Sequence, residues 1–280
     1  MNRRTIRWGS CRLAGLLCVA GVLVGCKTNP VLPQETEVVL EGYLYAGQPV
    51  NDIRLTSSVP IGATDSTYPP ITSATVVLMR NGSPYTLAPN PAAPGYYGYG
   101  RADLAVNVGD VFSIQVSYAG ALVTAQTTVP TRPQALTIST TLLRFQLDST
   151  QTRNGAFRTF VNSLDTASVS WSNPTGDYYY VVIESVDPAR QLLRPAGTST
   201  RLFISQPTDQ ADYVINGNSI LYTGQHVLRL YQINKEYADL YRSRQQDSRT
   251  LNEPLTNVVN GLGIFSAFAS DSLSFTVTMN

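Results

Sequence analysis

From Glu37 onward, apolar and polar residues alternate in short runs, and the breaks between runs carry turn chemistry. In EVVLEGYLYAGQPVNDIRLTSS every second position is apolar until Gly47-Gln48-Pro49, after which the alternation resumes, predicting two strands joined by a turn. ITSATVVLMRNGSPYTLAP repeats the arrangement around Asn81-Gly82, a pair suited to a two-residue hairpin because both central residues must take positive φ. PGYYGYGRADLAVNVGDVFSIQVSYAGALVTAQTTVP adds further strands around Gly109-Asp110 and a turn at Ala119-Gly120. Strands spaced about ten residues apart, with turns between them, predict a β-sandwich over residues 38–131, closed by Pro130 and Pro133.

The second half, residues 132–280, opens with ALTISTTLLRFQLD and continues the β pattern in ASVSWSNPTGDYYYVVIESVD. Val169 and Trp171 point the same way on a strand, Asn173-Pro174-Thr175-Gly176 turns the chain, and a Tyr/Val/Ile strand follows. The tryptophan placement resembles the early strands of a fibronectin type III sandwich, in which it fills the space between sheets. QHVLRLYQIN predicts a later strand. NKEYADLYRSRQQD predicts one short helix, with Asn234 as cap, Glu236 in the first turn, and Arg242 and Arg244 near the end. Ile233, Tyr237, Leu240 and Tyr241 share one face at helical spacing, to be packed on the sandwich.

Near the C-terminus, TNVVNGLGIFSAF raises the question of a phosphate-binding loop. Such a loop needs a strand before it, a set glycine spacing and a helix after it. Asn260-Gly261-Leu262-Gly263 has neither that spacing nor a following lysine, and the alternation of SLSFTVTM puts Leu273, Phe275 and Val277 on one face. The glycines are therefore expected to turn the chain into a terminal strand that completes the second sheet.

The first residues set the expected location. Arg3, Arg4, Arg7 and Arg12 precede the apolar run Leu13–Val24, too short for a spanning helix of ~20 residues but suited to a secretory leader. The run ends in Leu23-Val24-Gly25-Cys26, which resembles the bacterial lipoprotein lipobox. That resemblance implies a leader over residues 1–25, diacylglycerol on the Cys26 sulfur, an acylated new amine and a lipidated tether over residues 26–37. Lys27 rather than Asp follows the cysteine, favouring the outer membrane; the leaflet is left open.

Charge and cysteine usage narrow the chemistry. The chain has 20 Lys and Arg against 19 Asp and Glu; without the four leader arginines 16 stand against 19, a net charge near −3. This gives no basic patch for nucleic acid. Cys11 and Cys18 leave with the leader, so Cys26 is the one cysteine of the mature chain and no internal disulfide can form. His226 is the one imidazole, which rules out zinc sites of Cys/His type, and no cofactor is expected.

Catalytic candidates are few. A Ser–His–Asp arrangement around His226 is formally open, but no Gly-x-Ser-x-Gly elbow accompanies it. Glu184 and Asp187 are close enough in sequence to suggest paired carboxylates, although IESVDP reads more simply as a strand ending in a turn. Asp209 and Asp212 offer oxygen ligands without an EF-hand pattern, and no metal site is predicted. The tyrosines stand out more. Tyr178, Tyr179 and Tyr180 place aromatic rings on both faces of a strand, with alternate rings facing the core. Tyr96, Tyr97 and Tyr99 crowd a glycine-rich turn, where rings with polar tips suit contact with a protein or glycan.

The lipobox, VLEGYL, the downstream GYY, the Tyr-rich region and the final NGLGIF together resemble a family of Bacteroidota lipoproteins known as domain of unknown function 4249. Its best markers here are Glu41-Gly42-Tyr43 and Asn260-Gly261-Leu262-Gly263-Ile264-Phe265. The resemblance implies a mainly β lipoprotein of two sandwiches. The first is similar to the prealbumin-like regulatory fold, and the second is fibronectin type III-like with one short helix. It further implies an outer membrane served by TonB-dependent transporters, and supplies no catalytic residues. The expected function is non-enzymatic binding or accessory work beside such a transporter or an envelope complex. A glycan-binding or glycoside-processing surface lipoprotein and a structural envelope component are the alternatives.

Overall fold

The computed structural model describes residues 37–59, 67–145, 165–193, 201–217, 219–243 and 256–279. Cys26, the leader, the tether up to residue 36 and Arg244 lie outside the described residues. In the first half run β1 (Val38–Tyr45), β2 (Asp52–Ser57), β3 (Thr75–Arg80), β4 (Ser83–Pro89), β5 (Tyr96–Gly98), β6 (Val111–Tyr118) and β7 (Ala121–Thr128). The second half adds β8 (Gln134–Ile138), β9 (Leu142–Phe145), β10 (Ala167–Ser172), β11 (Tyr178–Ser185), β12 (Leu202–Ile204), β13 (Asp212–Ile215) and β14 (Gly224–Ile233). Helix α1 (Lys235–Ser243), β15 (Val258–Val259) and β16 (Leu262–Met279) complete the order.

The predicted turns are built as their residues require. Asn81 (φ 48°) and Gly82 (φ 88°) join β3 to β4, and Ala119 (φ 50°) and Gly120 (φ 84°) join β6 to β7, each pair with both central residues at positive φ. One sheet of the first sandwich runs through β1, β2 and β5, and the other through β3, β6, β7 and β15. β4 turns the corner between them, pairing with β3 through Ser83–Leu87 and with β5 through Ala88 and Pro89. Leu40, Leu55, Leu78, Phe112, Ile114 and Val123 are among the side chains sealed between the sheets. The second sandwich sets the short sheet β13-β10-β8 against β11, β14 and β16. Val169 and Trp171 do share its core, with the indole ring 5.5 Å from that of Tyr179.

The terminal strand departs from expectation. Its end pairs antiparallel with β14, from Phe268 opposite Ile233 to Val277 opposite Gly224. Its beginning pairs parallel with β1, from Leu262 opposite Val39 to Phe268 opposite Tyr45. Residues 256–268, read from sequence as part of the second sandwich, thus lie in the first, where Val258, Phe265 and Ala267 are core side chains. Along β16 the odd-numbered residues serve both cores: Phe265 and Ala267 in one, Phe275 and Val277 in the other. At a rise of about 3.3 Å per residue, this 18-residue strand spans about 60 Å and is the common spine of both halves.

The opposite face of that spine carries a third cluster. Tyr180, Ile233 and Phe268 are buried there under α1, whose Ala238 is fully buried and whose Tyr237 ring stands edge-on to Phe268 at 5.0 Å. Tyr43, Tyr45 and Tyr231 pack around the same phenylalanine. Tyr179 and Tyr180 are therefore both buried, on opposite faces of β11, because the helix covers the face that an isolated sandwich would leave wet. Burial pushes the phenols of Tyr45 and Tyr180 above their ordinary value, so both stay neutral. Asn234 sits at the helix start, and its carbonyl accepts the Ala238 amide at 3.3 Å. Its side-chain amide nitrogen also ties the helix start to the first sandwich, donating to Thr127 Oγ1 (2.8 Å) and the Thr128 carbonyl (2.9 Å) at the end of β7.

Candidate functional site

The Tyr96–Tyr99 segment resolves into three different environments. Tyr97 is fully buried, donating its hydroxyl to the Ile71 carbonyl (3.1 Å) and accepting from the Ala74 amide (3.0 Å). It is a core residue of the first sandwich, which corrects the expectation of a contact role at this position. Tyr96 and Tyr99 flank it half-buried, because alternation along β5 turns Tyr96 outward and Tyr99 lies just beyond the strand's end. The Arg54 guanidinium lies 5.9 Å from the Tyr96 ring centre and that of Arg101 lies 5.1 Å from the Tyr99 ring centre. Tyr85 meets Tyr99 edge-to-face at 5.4 Å. Each ring–guanidinium pair buries apolar area while keeping a polar edge, and Tyr99 also packs against the first core. The two arginines carry no signal in the sequence; strand pairing brings Arg54 opposite Tyr96.

His226 lies on β14, opposite Ser185 on β11, and is almost completely buried. Its Nδ1 donates to the Gly224 carbonyl at 3.0 Å, leaving the lone pair on Nε2, and its ring stacks on Phe275 at 5.2 Å. Asp187 points elsewhere: its carboxylate accepts the Ala189 and Gln225 amides at 2.8 and 3.2 Å, making it the turn residue that IESVDP suggests. His226 and Ser185 line a pocket of about 90 Å³ with Arg201, Phe203, Ser219 and Tyr222. The buried Ser185 hydroxyl has no hydrogen-bond partner, and the volume suits a few water molecules. Glu184 is exposed, as are Asp209 and Asp212; Asp209 accepts from the Gln210 side chain at 2.9 Å. Among the described residues no three His, Cys, Asp or Glu side chains converge as a metal would require.

Burial lowers the pKa of His226 from its ordinary 6.5, against the opposing pull of the Gly224 carbonyl and the Asp187 charge. A histidine kept neutral by the fold costs stability once the unfolded chain begins to take up its proton. The loss therefore begins as pH falls through 6.5 and continues down to the folded-state value. The thermal midpoint should fall on acidification through that range, and the fall should shrink in His226→Phe.

The halves meet through a polar junction that no sequence motif marks. Gln232, buried at the end of β14, accepts from Thr131 (3.0 Å) and donates to Asp177 (3.1 Å). Thr127 donates to Glu236 of α1 at 3.2 Å. Beside these bonds opens a cleft of about 560 Å³ lined by Pro130, Thr131, Asp177, Tyr178 and Lys235. The junction thus couples the end of β7 to the helix and fixes one half on the other.

Comparison with known proteins decides the family. The family profile described as "Domain of unknown function (DUF4249)" matches residues 27–274. The chain belongs to the DUF4249 family. In this DUF4249 chain, the two sequence markers lie against each other: Leu40 pairs with Gly263, Glu41 with Ile264 and Gly42 with Phe265. A Cβ on Gly42 would stand 2.7 Å from the Phe265 ring, and one on Gly263 would stand 2.0 Å from the Leu40 carbonyl oxygen. The markers are thus two sides of one strand pairing rather than a ligand loop. Asn257 supports the pairing, accepting the Phe265 amide (3.0 Å) and donating to its carbonyl (2.7 Å). No curated protein matches the chain. Among solved structures it is similar to chicken CNTN1 FN1-FN3 domains, at 8% identity and TM-score 0.27, over 71% of this chain and 61% of that one. Titin A168–A169 compares at 9% identity and TM-score 0.22, over 88% of this chain and 98% of that one. The DUF4249 chain thus spans less than two thirds of the CNTN1 structure, and at these TM-scores neither likeness bears on its function.

Proposed function

We propose that the protein is a Bacteroidota-type outer-membrane lipoprotein, held by acyl chains on Cys26, that works by binding beside a TonB-dependent transporter rather than by catalysis. The observation that carries the reading is the order of basic residues, apolar run and Leu23-Val24-Gly25-Cys26 at the start of the chain. An acyl chain contributes about 0.8 kcal/mol per buried CH₂, so several chains on one cysteine hold a protein on a membrane durably. The half-exposed Tyr96 and Tyr99 rings, each beside a guanidinium group, support a contact role for that patch.

Cys26→Ser should give an uncleaved or soluble precursor that takes up no palmitate analogue while the sandwiches still fold; labelling equal to wild type would refute the anchor. Tyr96→Ser with Tyr99→Ser should weaken retention of the transporter in detergent extracts tenfold or more, as loss of aromatic interface anchors typically does. Tyr96→Ser alone should leave the melting transition nearly unchanged, whereas Tyr99→Ser should lower it because Tyr99 packs on the first core. Tyr97 is left intact because its loss would damage the core. Undiminished capture would place the contact elsewhere. A glycan co-purifying in place of a transporter would favour glycan binding, and retention of neither would favour a structural envelope role.

A further inference from the structure

Charge is distributed unevenly along the first sandwich. Charged residues are 14% of the chain, against about 25% in an ordinary soluble domain, and those of the first half gather toward one end. Arg80 and Asp110 pair at 2.7 Å beside the β3–β4 turn, Arg101 and Asp103 follow β5, and Asp52 opens β2. The opposite end is made of the start of β1, the end of β2, the start of β3, the β6–β7 turn and the β15–β16 turn. Strand register brings these together: Val38 lies opposite Ser57, Thr75 opposite Ser117, and Val259 opposite Thr124. The described stretches that build it, residues 55–59, 67–79, 89–95, 117–125 and 256–262, contain no Asp, Glu, Lys or Arg; residues 60–66, outside the described residues, join two of them and contain one, Asp65. Among the described residues only Glu37 charges this end. Tyr68 (58% exposed), Leu122 (50%) and Val259 (58%) project from it. Exposed apolar side chains occur elsewhere too, among them Val108 and Val111 beside Asp110 at the opposite end and Ile204 just after Arg201 on a strand paired with Glu184.

The chain also enters the fold here. Glu37 is fixed at this end by its amide donating to Ser58 Oγ (2.8 Å) and its carbonyl accepting the Ser58 amide (2.8 Å). Residues 26–36 are the whole link from Glu37 back to Cys26, reaching at most about 40 Å when fully extended. We propose that this end of the first sandwich, which has no Lys or Arg among its described residues, rests on the lipid bilayer that holds the anchor, with Tyr68, Leu122 and Val259 at the headgroup boundary. The inference rests on the lipid-anchor reading above. A side chain such as tyrosine sits well there, apolar ring inward and hydroxyl wet, and an end with few charges loses little solvation on approach. Three partly exposed side chains bind a bilayer weakly alone; the short tether supplies the local concentration that makes the contact persistent. With no Lys or Arg among the described residues of the contact, anionic lipid and salt have little influence on it. β16 then stands away from the membrane, carrying the second sandwich and its His226 pocket outward.

The test uses full-length lipidated protein in phosphatidylcholine vesicles containing a nitroxide-labelled lipid. Because Cys26 is consumed by its acyl chain, Leu122→Cys, Val259→Cys and Ile204→Cys can each carry one environment-sensitive fluorophore. Ile204 serves as the control because its register, through Val182 and Arg229, leads to Ser272, ten residues beyond Leu262 on β16. Labels at positions 122 and 259 should shift to the blue and be quenched at least twofold more than the label at 204, unchanged in high salt. Vesicle-bound protein with equal quenching at all three positions would overturn the bilayer contact alone. Quenching at 122 and 259 that needs a transporter in the vesicle would overturn it in favour of a protein partner. Absence of acyl label on Cys26 would overturn the anchor and this inference together.

Discussion

A chain ending at Glu253 should lose the cooperative fold of both halves, not only of the second. The truncation removes β15, which closes the sheet beside β7, and all of β16, which pairs with β1 at one end and β14 at the other. Phe265 leaves the first core, Phe275 and Val277 leave the second, and Phe268 leaves the aromatic cluster under α1. Losing one buried phenylalanine costs about 3–5 kcal/mol. Three such losses approach or exceed the 5–15 kcal/mol that stabilises a whole domain. Limited proteolysis and near-ultraviolet circular dichroism should show no protected core. Survival of a resistant fragment over residues 38–131 would mean that the first sandwich closes without its C-terminal strand.

Gly263→Ala should be the most damaging single-methyl change in the described chain. Gly263 holds φ +108°, and a Cβ there would stand 2.0 Å from the Leu40 carbonyl oxygen and 2.8 Å from its carbon. Backbone atoms of a buried strand cannot swing aside as a flexible side chain can, so either the β1–β16 register breaks or the strand shifts. The expected cost is on the order of 3 kcal/mol or more. At 2–4 °C per kcal/mol for a chain of this size, the melting temperature should fall by about 6–12 °C. Gly82→Ala is the comparison: it holds φ +88° in an open turn with nothing within 4 Å of its Cβ position, so only about 1 kcal/mol is at stake. Equal melting temperatures for the two variants would show that the close approach of β16 to β1 is not what requires a glycine at 263.

Most strands were legible because their signals are local. Alternation in VVLEGYLY and VFSIQVSY marks one face of each strand, and the turn pairs Asn81-Gly82 and Ala119-Gly120 separate neighbours. The core role of Trp171 and the packing of α1 on a sheet were legible for the same reason. Partnership was not. Tyr97 reads as one of three similar tyrosines in a loop-like stretch, yet it occupies the middle of a three-residue strand and faces inward. Asn234 reads as a helix cap, and nothing local shows that its amide nitrogen also reaches Thr127 and Thr128, more than a hundred residues earlier. At the candidate contact patch the tyrosines were visible and Arg54 was not, since its place beside Tyr96 depends on β2–β5 pairing.

By itself the sequence determined the β character of this DUF4249 chain, its turns, the short helix after β14 and the absence of a phosphate-loop spacing in NGLGIF, because each depends on residues within a few positions of one another. Only the tertiary structure decided that NGLGIF begins a strand shared by two sandwiches, with its second glycine pressed against Leu40. A strand's pairing edges are backbone amides and carbonyls, the same for every sequence. Which strand meets them is set by contacts hundreds of residues apart, made only when the chain is folded.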